Sequence, residues 1–169
     1  MLRAREREVR ELPELRMDNI EYAYTHGMDD AAVEERLETT GTGVLALSEG
    51  DDSYAIPLAH YYDGERLYFR LGVTDGSRKG RFLETTDTAS YVLYGTADTD
   101  DPRGIDSWSV LVTGTLTELP ESEHERFDTA EINRAFSPIR VFDEDVEEME
   151  IRIVELEIES ITGRQTAEA

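Results

Sequence analysis

The sequence of 169 residues contains no cysteine and a single lysine, Lys79. Without cysteine, the chain can form neither a disulfide framework nor a thiolate metal site. It also lacks any apolar run of the roughly 20 residues that a transmembrane helix requires, and its polar N-terminus does not resemble a signal peptide. We therefore expect a cytoplasmic protein.

Positive charge is scarce throughout the chain. Seventeen basic residues stand against 39 acidic ones, which gives a formal net charge of -22. Such a surface repels nucleic acid and anionic membranes, so we expect neither as a partner. The excess of arginine over lysine under this acidic load favours a salt-loving source such as a haloarchaeon, because molar salt shortens the Debye length to roughly 3 Å. A GC-rich genome that encodes an ordinarily acidic protein is the alternative.

The pattern of apolar residues is mainly that of β-strands, with few helices. We predict strands over residues 43–48, 54–61, 67–71, 88–94, 107–119 and 149–161. Helices are predicted from Asp29, after Ser77, and from a capping box at Ser122 to about Phe136. Meandering strands with peripheral helices favour a mostly β fold, an antiparallel barrel. We expect a charged N-terminal arm over 1–27, one domain over 28–163 and a tail over 164–169.

Three sequence features in the strands carry specific expectations. Asp63-Gly64 between two strand-like runs is a strong hairpin signal. Pro57 lies inside a predicted strand but cannot donate to a ladder, so this strand is at an edge, is bulged, or faces something other than a strand, such as a ligand. Gly114 within the longest strand marks a bend or a bulge.

The segment V-T-D-G-S-R-K-G-R-F-L, from Val73 to Leu83, gathers three cations within four residues. Asp75-Gly76 predicts a turn, and Ser77 predicts a helix cap. A helix N-terminus with free N–H groups, a serine, an arginine and a lysine is suited to bind a phosphate group. The alternative is an ordinary turn and amphipathic helix whose cations balance nearby acids.

These residues resemble a known family. The strand pair Y-A-I-P-L-A-H-Y-Y-D-G-E-R-L-Y-F-R-L, followed by G-S-R-K-G-R-F-L, is similar to the pyridoxamine 5'-phosphate oxidase-like proteins, which are FMN-binding split barrels. Flavin reductases and nitroimidazole-resistance proteins are relatives within this group. The resemblance covers residues 29 to 119 and implies a six-stranded antiparallel split β-barrel.

The resemblance also implies a set of cofactor-binding residues. Arg78 and Lys79 would bind the FMN phosphate with help from Ser77. The strand residues Ala55, Ile56, Pro57 and Leu58 would lie along the flavin ring and ribityl chain, and Arg70 and Leu71 would line the cofactor. In this family the flavin commonly lies between two subunits, so a homodimer is implied, with Trp108 and Ser109 reaching the partner's cofactor.

The C-terminus departs from the vitamin B6 oxidases. It reads I-E-S-I-T-G-R-Q-T-A-E-A and lacks their Arg-x-His substrate signature, so we do not expect true pyridoxamine 5'-phosphate oxidase activity. We expect an FMN-dependent oxidoreductase that passes hydride or electrons between a reduced nicotinamide, NADH or NADPH, and a small acceptor. The alternatives are a non-catalytic flavin carrier or sensor, and a reductase that uses the deazaflavin F420.

His60 is the one candidate for a proton-transferring side chain, because the pKa of histidine suits that role. The alternative is a histidine whose hydrogen bonds are satisfied within the core. The three histidines are scattered along the chain, and no aspartate run has EF-hand spacing, so the sequence predicts no metal site.

Overall fold

A computed structural model describes residues 25–98, 105–139 and 149–166 of the chain. Its strands are β1 (Thr25–Gly27), β2 (Thr42–Glu49), β3 (Asp52–Ala59), β4 (Tyr61–Tyr62), β5 (Arg66–Val73), β6 (Thr88–Asp98), β7 (Ile105–Glu118) and β8 (Glu150–Thr166). Its helices are α1 (Asp30–Thr39), α2 (Arg78–Thr85), a 3₁₀-helix (Glu121–Phe127) and α3 (Ala130–Phe136). Within these residues, no helix is both long and apolar enough to span a membrane.

The strands form one antiparallel sheet in the order β3-β2-β6-β7-β8-β5-β4, with β1 paired to β8. The mostly β fold is confirmed, but the predicted count of six strands is wrong, since the described residues contain eight. The predicted run over 54–61 is divided at His60 into β3 and β4, and β1 was not foreseen. The sheet is open rather than closed, although β3 comes close to β5 as it curls.

The edge position of β3 explains its proline. β3 is the first strand of the sheet and pairs only with β2 among the described strands, with Pro57 opposite Val44. An edge strand has one side without a ladder, so a missing N–H costs little there. The first of the three readings of Pro57 is therefore confirmed.

The core lies inside the curled sheet. Leu45, Phe69, Tyr91 and Val112 have no exposed side-chain surface, and Phe82 of α2 closes the core. Gly114 marks the predicted bulge, because the pairing of β7 with β8 shifts between Thr113 and Gly114. A Cβ at position 114 would lie 1.9 Å from the Glu157 carbonyl oxygen, so only glycine fits this approach.

A second, smaller apolar cluster joins the 3₁₀-helix and α3 to the other face of β5 and β8. Its members are Tyr68, Leu119, Phe127, Ile132, Phe136 and Ile153. The single helix predicted from Ser122 is wrong, because the 3₁₀-helix ends at Phe127 and α3 begins at Ala130, with Thr129 as its N-cap. There the Thr129 hydroxyl accepts from the Ile132 amide at 3.2 Å and replaces the predicted capping box.

The sheet extends beyond the expected limits of 28 and 163. Thr25 to Gly27 pair with Thr166 to Arg164, so both predicted flanks contribute residues to the sheet. The rest of the predicted arm and tail, residues 1–24 and 167–169, lies outside the described residues.

Candidate functional site

The N-terminus of α2 is built as the sequence predicts. The Ser77 amide donates to the Thr74 carbonyl at 3.1 Å, and Gly76 adopts a φ of 71° that glycine tolerates. The Ser77 hydroxyl then accepts from the Gly80 amide at 3.1 Å and caps the helix. The first amides of a helix have no intrahelical acceptor, so this end presents donors and a partial positive charge.

Arg78 projects from this end towards the start of β3. Its guanidinium lies 5.3 Å from the Tyr54 ring centre and 5.5 Å from that of Phe82, and it reaches the Ser53 carbonyl only at 3.5 Å. Arg78 is exposed and forms no ion pair with a carboxylate in the described ranges. Arg81, one turn along, is instead bound to Glu49 at 2.8 Å. Arg78 is therefore a cation at the helix start that is not paired with a described carboxylate and could bind an external anion.

Lys79 points in a different direction, into the protein. Its side chain is 6% exposed, and its Nζ donates to the Gly72 carbonyl at 2.9 Å. It lines a cavity of about 250 Å³ between β5 and α3. The described lining consists of Leu58, Arg70, Leu71, Gly72, Lys79, Phe136, Ser137, Ile139, Met149 and Ile151. Four predicted site residues thus meet here, while Arg78 lies apart from them.

The predicted ring shelf on β3 presents two faces. Ile56 and Leu58 are buried in the core, whereas Ala55 and Pro57 are exposed on the outer side of the sheet. Side chains alternate along a strand, so one ligand cannot lie on all four. Ala55 and Pro57 form the accessible part of this shelf.

Trp108 and Ser109 do not join the other residues within one chain. On β8, Trp108 pairs with Gln165, whereas Arg70 pairs with Ile153. Twelve residues of strand correspond to about 40 Å of chain. Trp108 packs beneath Arg36, whose guanidinium lies 4.3 Å from the ring centre, and Ser109 is exposed.

His60 is 4% exposed, and both of its ring nitrogens have partners. Nε2 lies 2.9 Å from the Leu37 carbonyl and must donate to it, and Nδ1 lies 2.9 Å from the Tyr91 hydroxyl. The Tyr91 hydroxyl also donates to the Leu58 carbonyl at 3.0 Å. The single hydroxyl proton is therefore shared between His60 Nδ1 and the Leu58 carbonyl. Burial lowers the pKa of His60, which the Leu37 carbonyl opposes. This arrangement fits the satisfied core histidine, the alternative to a catalytic one.

Several residues that line this cavity were not predicted from the sequence. Phe136, Ile139 and Met149 reach the cavity from segments far along the chain, and no local pattern marks them. Gly72 offered a signal, because a glycine inside a strand often marks close approach. Here the Met149 sulfur would lie 1.9 Å from a Cβ at position 72. No group of metal-ligating side chains occurs within 25–98, 105–139 and 149–166.

A family model described as pyridoxamine 5'-phosphate oxidase matches residues 29–165, most of the chain. The chain belongs to this family. The match extends the resemblance, which rested on residues 29 to 119, through β8. A search of curated proteins returned no match.

Solved structures share the fold of this pyridoxamine 5'-phosphate oxidase family member. An FAD-binding protein from Mesorhizobium loti has a TM-score of 0.63 and 16% identity, covering 85% of this chain and 99% of its own. The FAD-binding protein from Mycobacterium smegmatis has a TM-score of 0.57 and 16% identity, covering 85% of this chain and 100% of its own. A flavocytochrome from Azotobacter vinelandii has a TM-score of 0.57 and 14% identity, covering 86% of this chain and 70% of its own. Identities this low establish the fold alone.

We predict that His60 makes the protein less stable as the pH falls below about 6.5, the ordinary pKa of histidine. Its folded pKa is lowered, so the unfolded chain binds more protons in this window and folding stability rises with pH across it. Thermal unfolding from pH 7.5 to 5 should show this slope, and His60→Gln should flatten it. His26→Gln, at an exposed site, is the control and should keep the slope; an unchanged slope in His60→Gln would contradict the assignment.

Proposed function

We propose that this chain binds FMN and acts as an oxidoreductase between a reduced nicotinamide and a small acceptor. The observation that carries the proposal is Arg78, which lies at the capped start of α2 without a described acidic partner in a chain of net charge -22. A phosphate dianion needs concentrated positive charge and amide donors, and this helix start offers both. The flavin-binding neighbours of the same fold support the cofactor class.

The proposed site extends from α2 along the edge of β3. Ser77, Arg78 and Lys79 would hold the phosphate group, with Arg78 on the β3 side and Lys79 on the β5 side. The exposed Ala55 and Pro57 would lie along the ring, and the buried Ile56 and Leu58 would support that strand from the core. Arg70 and Leu71 would line the inner end. FAD, which two neighbours are described as binding, and F420 are the competing cofactors, and mass spectrometry of the released cofactor distinguishes them.

A bound flavin would supply hydride and electron transfer, which the protein's own side chains cannot. The protein would contribute binding, orientation and control of access. The described residues show no nucleophile–base pair that would favour another reaction class. A flavin carrier or sensor without turnover is the alternative proposal.

We predict that Arg78→Ala and Lys79→Met each weaken FMN retention by about 10-fold or more, because each removes a charge-assisted bond worth about 1.5–3 kcal/mol. Flavin absorbance after gel filtration in molar salt gives the measurement. Riboflavin, which lacks the phosphate, should bind all variants equally. Arg81→Ala, whose side chain already pairs with Glu49, is the matched control. Unchanged FMN affinity in both variants would remove the phosphate assignment.

The oxidoreductase and carrier proposals differ in turnover. For the enzyme we expect the FMN-loaded protein to oxidise NADH or NADPH faster than free FMN does, with at least one small acceptor. Absorbance at the nicotinamide band measures the rate, with an equal concentration of free FMN as control. A rate equal to that of free FMN across all acceptors would favour the carrier or sensor.

The outer side of the sheet supports a homodimer. Two complete rows of outward-facing residues cross five strands without a charge, and we name them the uncharged face. One row is Pro57, Val44, Val92, Leu111 and Thr162, and the other is Ala55, Ala46, Ser90, Thr113 and Ser160. One third of the chain is charged, and subunits of charge -22 repel one another. A surface free of charge is where two copies could approach.

The geometry of this face relates the dimer to the cofactor. Ala55 and Pro57 form its border on β3, so a cofactor on that shelf would lie between the subunits. Ser109 lies beside it, opposite Tyr94, which is 65% exposed. Contact of Trp108 and Ser109 with the partner's cofactor stays a proposal. Arg36 covers the Trp108 ring, so either the ring would have to move away from Arg36 or Arg36 would make the contact in its place.

We predict that Leu111→Glu converts a dimer into monomers and lowers FMN retention. Leu111 is 44% exposed on the uncharged face, and two symmetry-related glutamates would repel there. Sedimentation velocity in molar salt measures the change. Thr117→Glu, exposed on the same strand but outside the face, should remain dimeric. A wild-type monomer, or a dimer unaffected by Leu111→Glu, would exclude this interface.

A further inference from the structure

Arg70 occupies an unusual position for an arginine in so acidic a chain. It projects from β5 on the same side as Tyr68 and Gly72, beneath α3. Its guanidinium lies 5.0 Å from the centre of the Phe136 ring, and its Nη1 donates to the Asn133 side-chain oxygen at 2.5 Å. The Asn133 side-chain nitrogen in turn donates to the Asp128 carboxylate at 2.9 Å. The Phe136 contact and the hydrogen bond to Asn133 hold the guanidinium in place.

The charge of Arg70 lacks a direct partner among the described residues. No described carboxylate lies within 4 Å of it, whereas Arg66 on the same strand pairs with Glu155 at 3.7 Å and Arg152 contacts three glutamates. Burial lowers the pKa of Arg70, and the charge of Asp128 opposes this only from beyond Asn133. A guanidinium has five donors in a planar fork, which matches a carboxylate. Among the described residues, only the Asn133 side-chain oxygen accepts a hydrogen bond from Arg70.

Cavities on the two sides of Arg70 differ in charge. On one side lies a space of about 370 Å³ whose lining includes Glu125 and Asp128. On the other side lies the cavity of about 250 Å³, whose described lining contains no carboxylate. Its apolar lining residues lie beside Arg70, Lys79 and Ser137; they are Leu58, Leu71, Phe136, Ile139, Met149 and Ile151. An anion is therefore favoured on the second side and repelled on the first.

We infer that this smaller cavity binds a small organic acid with an apolar body, and that Arg70 recognises its carboxylate. The walls suit a short aliphatic or aromatic group, and the volume is below the roughly 300–1,000 Å³ of ordinary ligand clefts. An intact flavin exceeds this space. The inference rests on the proposed function in one respect, since it makes the acid the second substrate of the flavoprotein.

The test compares benzoate with benzamide, which has the same shape and no charge. Isothermal titration calorimetry is carried out on wild-type protein with and without FMN, at one fixed ionic strength. We expect benzoate to bind in both states and benzamide to bind at least about 10-fold more weakly. Arg70→Gln should weaken benzoate binding about 10- to 100-fold, as expected for the loss of a charge-assisted pair, and Arg70→Lys should restore part of it.

The controls separate this inference from the proposed function. Arg66→Gln removes an arginine of the same strand that does not line the cavity, so benzoate affinity should be unchanged. Thermal unfolding confirms that each variant is folded, and flavin absorbance reports FMN binding independently. If FMN does not bind but benzoate does, the proposed function fails and the anion site stands. Equal binding of benzoate and benzamide, insensitivity to Arg70→Gln, or loss of benzoate binding on FMN loading would overturn the inference.

Discussion

Repulsion among negative groups constrains every surface of this protein. With a net charge of -22, an arginine close to a carboxylate is the expected arrangement, and Arg66, Arg81 and Arg152 follow it. Exposed pairs of this kind contribute little stability individually, about 0–1 kcal/mol each. These pairs show that an arginine in this protein commonly lies beside a carboxylate. A cation without a described acidic neighbour therefore indicates where an anion from outside can bind.

The topology places Arg70, Arg78 and Lys79 around one edge of the sheet. β3 is an outermost strand, and the curl of the sheet brings it beside β5, while α2 follows β5 directly. The start of α2 therefore lies where both strands can be reached. Arg78 extends to β3 and Lys79 to β5, so adjacent residues serve two sides of the same region. Arg70 reaches that region from the face of β5 covered by α3.

Local features of this region could be predicted from sequence because they depend on near neighbours. The Asp75-Gly76 turn, the Ser77 cap and the edge position of Pro57 each follow from backbone chemistry within a few residues. The contact of Arg70 with Asn133 could not be predicted, because 63 positions separate them and nothing local marks either as a partner. The division of the predicted helix at Asp128 was missed for a related reason. Ser122 offered a plausible cap, but packing of Phe127 and Ile132 on β5 and β8 selected two shorter helices.

His60 shows how burial changes the meaning of a residue that sequence alone leaves ambiguous. Its imidazole binds the Leu37 carbonyl and the Tyr91 hydroxyl, and its own amide donates to the Gly41 carbonyl at 3.3 Å. The same Tyr91 hydroxyl donates to the carbonyl of Leu58, on the proposed shelf. Removing the hydroxyl would leave two buried acceptors with one donor fewer, at about 1–3 kcal/mol for each unsatisfied group.

These bonds bear on the proposed site because an edge strand is held by a ladder on one side only. A ligand shelf must keep its shape before the ligand arrives, and that requires support from behind. In β3 the support comes from Tyr91 at the Leu58 carbonyl and from His60 at the end of the strand. Leu58 also lines the cavity beside Arg70, while its neighbour Pro57 borders the uncharged face. The adjacent residues Pro57 and Leu58 thus lie where the proposed acid pocket, the proposed flavin shelf and the proposed subunit interface meet.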